Sequence, residues 1–416
     1  ILRNVSNYDI DINNIKDLIR KYLGTCFKTA HGELIRLYRY ETALPEQVQR
    51  SSPFETPPYR VLEAYVLPFM EEPMPEFKPE NFKNFCKSLT ERLGSRLSEY
   101  AKAICKALKS IRVTSIHDYQ YTMLSDLIEN FDRPKLVILS APTASGKTEI
   151  FMTYLVTKLL VRDGVAVIIY PTKTLAREQL ERFVRFLYNI NNSGLDKKIR
   201  IYILDGDSPS SINEVKGKRF RGGISVIKGN TNGVVKYDDN GEVVIDWGGG
   251  NIEKVDWISE YKDLRELEEP AIVITNHSML STHLNDGSSW VKSLARLLNT
   301  IVVDEAHIFI NDKEKSDFLH FLILRLLVMA VIEGGTAITN GFINNPEVGI
   351  KELVSGRGLD VILSSATLSD RDVLPQGVAT SQLGGIDLHR ASMGSGGQPP
   401  IDVLLRWLYG IYSRNF

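Results

Sequence analysis

The chain has 416 residues, 43% hydrophobic and 24% charged, with a formal net charge of -1. That length leaves room for two or three domains, the composition excludes a disordered or fibrous class, and the near-zero charge excludes a global polybasic surface. Any nucleic-acid contact must therefore be local.

No uninterrupted apolar stretch approaches the roughly 20 residues of a membrane span. The longest candidate, Phe318 to Ile332, is broken by His320 and Arg325 and reads as a buried helix. Cys26, Cys86 and Cys105 are scattered without C-x-x-C spacing. This argues against a metal cluster or a disulfide framework and for a reducing interior. The start, Ile1-Leu2-Arg3-Asn4, lacks the apolar core of a signal peptide, and a cytoplasmic location is the simplest expectation.

Residues 1–110 read as an N-terminal accessory region, mainly helical. Asp11 to Leu23 suggests a helix and His31 to Tyr40 a strand or helix, after which prolines from Pro45 to Pro79 break up regular structure. From Asn81 to Ser110 the apolar residues Phe82, Phe85, Leu89, Leu93, Leu97, Ala101, Ile104 and Leu108 recur at three- and four-residue steps. That spacing predicts one long amphipathic helix.

Residues 111–375 alternate aliphatic strands with helices. The strands predicted are 136–139, 165–170, 199–204, 271–275, 300–303 and 361–364; the helices are 149–161, 174–188, 290–298 and 314–332. Near-continuous β-branched runs are what parallel strands covered on both faces require. The expectation is a doubly wound α/β sheet with its ligand at the carboxyl ends of the strands.

An insert of about 208–268 interrupts this pattern. Val234 to Tyr237 and Glu242 to Ile245 flank Asn240-Gly241, which predicts a β-hairpin. The basic run Lys216 to Arg221 just before it has two readings, a contact for phosphates or a solvated loop. Residues 376–416 read as a Gly/Ser-rich linker followed by a short apolar tail.

Three strand ends carry chemistry. Strand 136–139 leads into Ser140-Ala141-Pro142-Thr143-Ala144-Ser145-Gly146-Lys147-Thr148 and then a helix. In that context the loop amides of Ala144, Ser145 and Gly146 surround a triphosphate, Lys147 reaches its outer oxygens and Thr148 holds magnesium. Ala141 stands where the strict pattern has its first glycine. Strand 300–303 delivers Asp304 and Glu305, followed by Ala306 and His307. Triphosphate hydrolysis needs one group to hold magnesium and another to position and deprotonate water, roles that suit Asp304 and Glu305 respectively. The third end, Ser364-Ser365-Ala366-Thr367, supplies hydroxyls that can hydrogen-bond to His307 and sense the occupied site.

In this order and at these separations, the three segments resemble motifs I, II and III of the superfamily 2 helicases of DExH type. Tyr170 to Ala176 resembles motif Ia, Leu204-Asp205-Gly206-Asp207 motif Ib, and Ile274 to Leu280 the strand-contacting segment before motif II. The resemblance implies a RecA-like ATP-binding lobe that uses ATP and Mg2+ and takes single-stranded nucleic acid, DNA before RNA, as partner. It assigns contacts with the strand to Thr172, Lys173, Gly206, Asn276 and Ser278. Gln120, in Ile116-His117-Asp118-Tyr119-Gln120, matches the residue that hydrogen-bonds adenine, and Ser365 and Thr367 match the coupling motif. His117-Asp118 also spells a fragment of a metal phosphohydrolase motif, for which no companion ligand set is evident.

The likeness covers about 111–375 and leans towards the Lhr and mitomycin-repair DNA helicases, with a CRISPR-associated helicase subunit as another candidate. Family members continue into a second lobe that supplies arginines, whereas forty-nine residues follow Thr367 here. The resemblance therefore implies either part of a longer helicase or a lobe completed by a partner. The alternatives are a duplex translocase or remodelling ATPase, and a catalytically incomplete lobe that only binds.

Overall fold

The computed structural model describes residues 34–41, 60–68, 77–366 and 388–391, with gaps at 130, 132–134, 142–144, 210–213, 217, 230, 261–265, 311–312 and 334–355. The chain forms two compact units, Ile1–Pro75 and Glu76–Phe416. In the first, strands β1 (Leu34–Glu41) and β2 (Arg60–Pro68) pair antiparallel. The helix expected over Asp11 to Leu23 lies outside the described residues.

The second unit opens with α1 (Pro79–Ser110) and α2 (Asp118–Glu129). The long amphipathic helix thus packs as part of the sheet-bearing unit. It is not straight: Gly94, at φ 69 and ψ 178, folds it into two arms. Only glycine takes such a conformation without steric cost.

That kink corrects the reading of the cysteines, because Cys86 on one arm forms a disulfide with Cys105 on the other, their Cα atoms 6.0 Å apart. Along an unbroken helix, residues 19 positions apart would be separated by about 28 Å at 1.5 Å per residue. Cys26 lies outside the described residues.

The main sheet has eight strands, all parallel, in the order β10-β5-β11-β4-β12-β13-β3-β14. Their spans are β3 (Leu136–Ser140), β4 (Val165–Tyr170), β5 (Arg200–Leu204), β10 (Ile258–Ser259), β11 (Ala271–Asn276), β12 (Leu298–Val303), β13 (Asp360–Ser365) and β14 (Leu388–Ala391). The doubly wound parallel sheet expected from the sequence is present. β14 is an addition, formed inside the stretch read as a linker.

Alternation along each strand divides the core. Ala166, Ile168 and Tyr170 of β4 face one apolar layer with α1, α2, α3 (Lys147–Arg162) and α4 (Lys173–Asn191). Val165, Val167 and Ile169 face the other, with α5 (His277–Asp286), α6 (Ser289–Leu297) and α8 (Lys313–Glu333), which follows the short α7 (His307–Ile310). Since β4 is buried at every position, neither face tolerates a polar residue there.

The amino ends of the strands are tied by a buried polar cluster. Asp360 at the start of β13 accepts from Lys158 Nζ at 2.5 Å, from the Lys135 amide at 2.8 Å and from the Tyr154 hydroxyl. Lys158 and Asp360 have no exposed side-chain surface. A dry ion pair survives only when fully hydrogen-bonded, and Lys158 also donates to the carbonyls of Gly358 and Asn299. The strand leading to Lys147 and the strand ending at Ser365 are thereby locked at one end.

Between β5 and β11 the chain builds a four-stranded antiparallel sheet, β6 (Ser225–Lys228), β7 (Thr231–Tyr237), β8 (Val243–Asp246) and β9 (Ile252–Lys254). β7 and β8 form the hairpin expected around Asn240-Gly241, with Tyr237 opposite Val243. Val226, Val235, Tyr237 and Ile245 join the apolar layer of α4. The insert is packed onto the domain through its own core.

Candidate nucleotide and nucleic-acid site

β3 ends at Ser140, and the chain re-enters regular structure at Lys147, the first residue of α3. Ala144 lies outside the described residues. Gly146 precedes α3 in the left-handed region, at φ 87 and ψ 27. A Cβ there would sit 2.2 Å from Gln120 Nε2, so conformation and space both demand glycine. Lys147 and Thr148 are buried at the helix start, and Lys147 Nζ donates to the Ala141 carbonyl at 2.6 Å. Burial pulls the ammonium's pKa down, while the carboxylates of Glu305 and Asp304 pull it up. The lysine and both acids therefore share one electrostatic site.

The acid pair follows β12. Asp304 is 6% exposed, and its amide donates to the Ile169 carbonyl of β4 at 3.1 Å. Burial raises its carboxyl above the usual range, opposed by the Glu305 amide, which donates to Asp304 Oδ1 at 3.0 Å. Glu305 takes φ 49, a left-handed conformation that costs a non-glycine residue roughly 1–2 kcal/mol. This turn aims two consecutive carboxylates along different directions, which an extended strand would also do but without folding straight into α7.

His307 links the acid pair to the third strand end. Its Nδ1 lies 3.0 Å from Ser365 Oγ and 3.3 Å from Glu305 Oε2. Ser365 also accepts the Ala141 amide on its carbonyl at 3.2 Å, and Ser364 accepts the Ala306 amide at 2.9 Å. One residue of β13 thus touches both the start of the phosphate loop and His307. Thr367 lies outside the described residues.

Gln120 is buried, and both ends of its side-chain amide bond to the protein. Its Oε1 accepts from the His117 amide at 2.8 Å and its Nε2 donates to the Gly146 carbonyl at 3.1 Å. Beside it the Tyr119 hydroxyl donates to the Ser145 carbonyl, and burial pushes this phenol up to about 12. Tyr119, which sequence reasoning passed over, therefore braces the loop together with Gln120. His117 stacks on Phe77 with centroids 3.6 Å apart, and Asp118 pairs with Lys78 at 2.6 Å. Among the described residues no group of three or more His, Cys, Asp or Glu side chains is gathered as a metal site.

The strand-contacting residues inferred from resemblance lie at the carboxyl ends of β4, β5 and β11. Thr172 caps α4, its hydroxyl accepting the Leu175 amide at 3.3 Å, and Asn276 caps α5, accepting the Met279 amide at 2.9 Å. Capping accounts for both side chains without a ligand. Lys173 and Arg177, one turn apart on α4, both pair with Asp207, at 2.7 and 2.5 Å. Arg177 was missed, although its four-residue spacing from Lys173 places it on the same helix face. A Cβ on Gly206 would lie 2.8 Å from Lys173 Nζ. Ser278 is exposed, its Oγ 3.1 Å from His277 Nε2.

The basic run splits. Lys216, Lys218 and Arg219 are exposed, whereas Arg221 is buried between two carboxylates and is not available to phosphates.

Residues 118–234 match the family model described as DEAD/DEAH box helicase. These residues are similar to part of a DEAD/DEAH-box helicase domain. The matched segment includes Gln120, the glycine-lysine-threonine turn, Lys173 and Gly206, and stops within β7. Two curated relatives are the ATP-dependent DNA helicases Hel308 of Pyrococcus horikoshii and Pyrococcus abyssi. They are 25% and 26% identical over 210 and 211 residues, half of this chain. The match spans about a fifth (20%) of each relative's length. Among solved structures, the DUF1998 helicase MrfA bound to DNA aligns over 64% of this chain and 25% of its own, at 20% identity and a TM-score of 0.38. Saccharomyces cerevisiae Dbp5 bound to RNA and ADP BeF3 aligns over 65% and 45%, at 13% identity and a TM-score of 0.33. Among the described residues no helix is long and apolar enough to cross a membrane.

Proposed function

We propose that this domain is the first motor lobe of an ATP-dependent DNA helicase, coupling ATP hydrolysis to movement along a single strand. The observation that carries the reading is the end of β13, where Ser365 bonds both the amide of Ala141, the residue whose carbonyl holds Lys147, and His307 beside the acid pair Asp304 and Glu305. DNA is favoured over RNA because the curated relatives are named as DNA helicases. A cytoplasmic location and a second lobe, from further chain or from a partner, belong to the same reading.

The site fits a magnesium nucleotide. Asp304 is a buried acid whose carboxyl is pushed up by desolvation, a state that a nearby cation relieves. When bound, the ion would neutralise phosphate charge, held by the Thr148 hydroxyl and, through water, by Asp304. Gly146, Ser145 and the amino end of α3 receive the phosphates. Lys147 must leave the Ala141 carbonyl to reach the outer oxygens. Glu305 then orients and deprotonates the attacking water, and His307 carries the state of that site to Ser365 on β13. Thr172, Lys173, Gly206, Asn276 and Ser278 line the path proposed for the strand.

The test is ATP turnover with and without single-stranded DNA, comparing the natural protein with Lys147→Ala. Stimulation by DNA that disappears in the variant supports the reading, and a fluorescent strand-displacement assay separates unwinding from translocation on duplex. Binding of DNA without any ATP turnover, unchanged in Lys147→Ala, would leave only a binding lobe.

A further inference from the structure

The inserted sheet reaches the 204–208 loop through one side chain. Arg221 sits in a 3-10 turn (Phe220–Gly222) that leads into β6, with φ 45, a conformation that an arginine keeps only where its surroundings impose it. Its guanidinium is 5% exposed. Nη1 donates to both Asp205 oxygens, at 2.9 and 2.8 Å, and Nη2 donates to Ser208 Oγ at 2.9 Å. On its other side Nε donates to Glu260, whose second oxygen accepts the Tyr237 hydroxyl of β7. Arg221 is thus held from the insert by Glu260 and holds the loop by a fork.

The loop is fixed through the same two residues. Asp205 Oδ1 accepts the Asp207 amide at 2.8 Å, and Ser208 Oγ accepts the Asp205 amide at 3.0 Å while donating to the Ile203 carbonyl at 2.9 Å. Asp207 in turn holds Lys173 and Arg177 on the first turns of α4. A planar guanidinium whose Nη1 holds the Asp205 carboxylate while Nη2 holds Ser208 fixes direction as well as distance, which a lysine's point charge does not. A purely decorative insert would need no buried arginine at its root, paired with a carboxylate on either side.

We infer that Arg221 is a positioning residue: the inserted sheet acts through it as a brace that sets the Asp205-Gly206-Asp207 loop, and with it Lys173 and Arg177, for the backbone of a single strand. The placement of the loop is a statement about this chain alone, and the strand rests on the proposed function above.

The experiment is hydrogen exchange on the full chain in Arg221→Met and Arg221→Lys, with single-strand binding measured at several salt concentrations. In Arg221→Met the amides of 205–208 should exchange on the order of ten-fold faster or more, with those of α3 unchanged. Nucleotide affinity should hold. The single-strand dissociation constant should rise several-fold, and the slope of log affinity on log salt should fall by about 0.7 for each phosphate that the loop no longer neutralises. Arg221→Lys, keeping the charge but not the fork, should lie between, and it carries the same readouts if Arg221→Met does not fold. Unchanged exchange at 205–208, or faster exchange spread evenly over the sheet, overturns the brace. An arginine needed for folding alone would lower the melting temperature and leave the salt slope of the folded protein where it was. Failure of the natural protein to bind a single strand sinks the functional reading instead, and the exchange data still decide the brace.

Discussion

Replacing Asp360 by alanine should be the most destabilising single change at the amino end of the sheet. It leaves the Lys158 ammonium buried with no counter-charge and takes an acceptor from the Lys135 amide and the Tyr154 hydroxyl. Breaking a buried pair by removing one partner costs about 3–5 kcal/mol. At 2–4 °C per kcal/mol, that is a fall in melting temperature of about 10 °C. The assay is thermal and urea unfolding of Asp360→Ala, Lys158→Met and the double variant. In the double variant no charge is stranded, so more than half the loss should return as coupling. The pH dependence follows from the same geometry. Burial pulls Lys158 down to about 8, against the upward pull of Asp360. In the folded state this lysine therefore binds fewer protons than in the unfolded chain between about pH 8 and its ordinary 10.5, and its contribution to stability rises with pH across that window. Without Asp360 the depression deepens and the rise begins at lower pH. A loss below about 1 kcal/mol, or strictly additive single variants, would refute the stranded-charge account.

Ser365→Ala removes the hydroxyl from His307 but keeps the carbonyl that accepts the Ala141 amide, so nucleotide affinity should stay within about three-fold while DNA-stimulated turnover falls roughly ten-fold. Equal losses in both would place Ser365 in nucleotide binding instead. Gly206→Ala puts a methyl group 2.8 Å from Lys173 Nζ. The flexible lysine yields, so unfolding should move by less than about 1 kcal/mol while single-strand affinity drops several-fold, read by fluorescence anisotropy. Reducing Cys86–Cys105 opens a loop of 19 residues and should cost about 3 kcal/mol in a thermal melt, an effect absent from Cys86→Ser.

The strands themselves, and the placing of the glycine-lysine-threonine turn and acid pair at strand ends, were legible because both are local signals: unbroken aliphatic runs, then that turn or paired acids. Partners distant in sequence were not. Arg221 looks like part of a basic surface run until the fold brings Asp205 and Glu260 to it from 16 and 39 positions away. Gln120 reads as an adenine contact, and only the fold shows that its Nε2 also donates to the Gly146 carbonyl. The disulfide hides because one glycine, unremarkable inside an amphipathic pattern, turns a helix back on itself. Thr172 and Asn276 open helices, where a cap and a contact for phosphate call for the same side chain.

The left-handed turn at Glu305 sets stability and chemistry against each other at one position. A glycine there would relax the backbone and gain about 1 kcal/mol, yet on the proposed function it would remove the base that takes a proton from water. Selection for robustness alone would erase the carboxylate. The end of β12 is thus the place where the proposed chemistry costs the fold most directly.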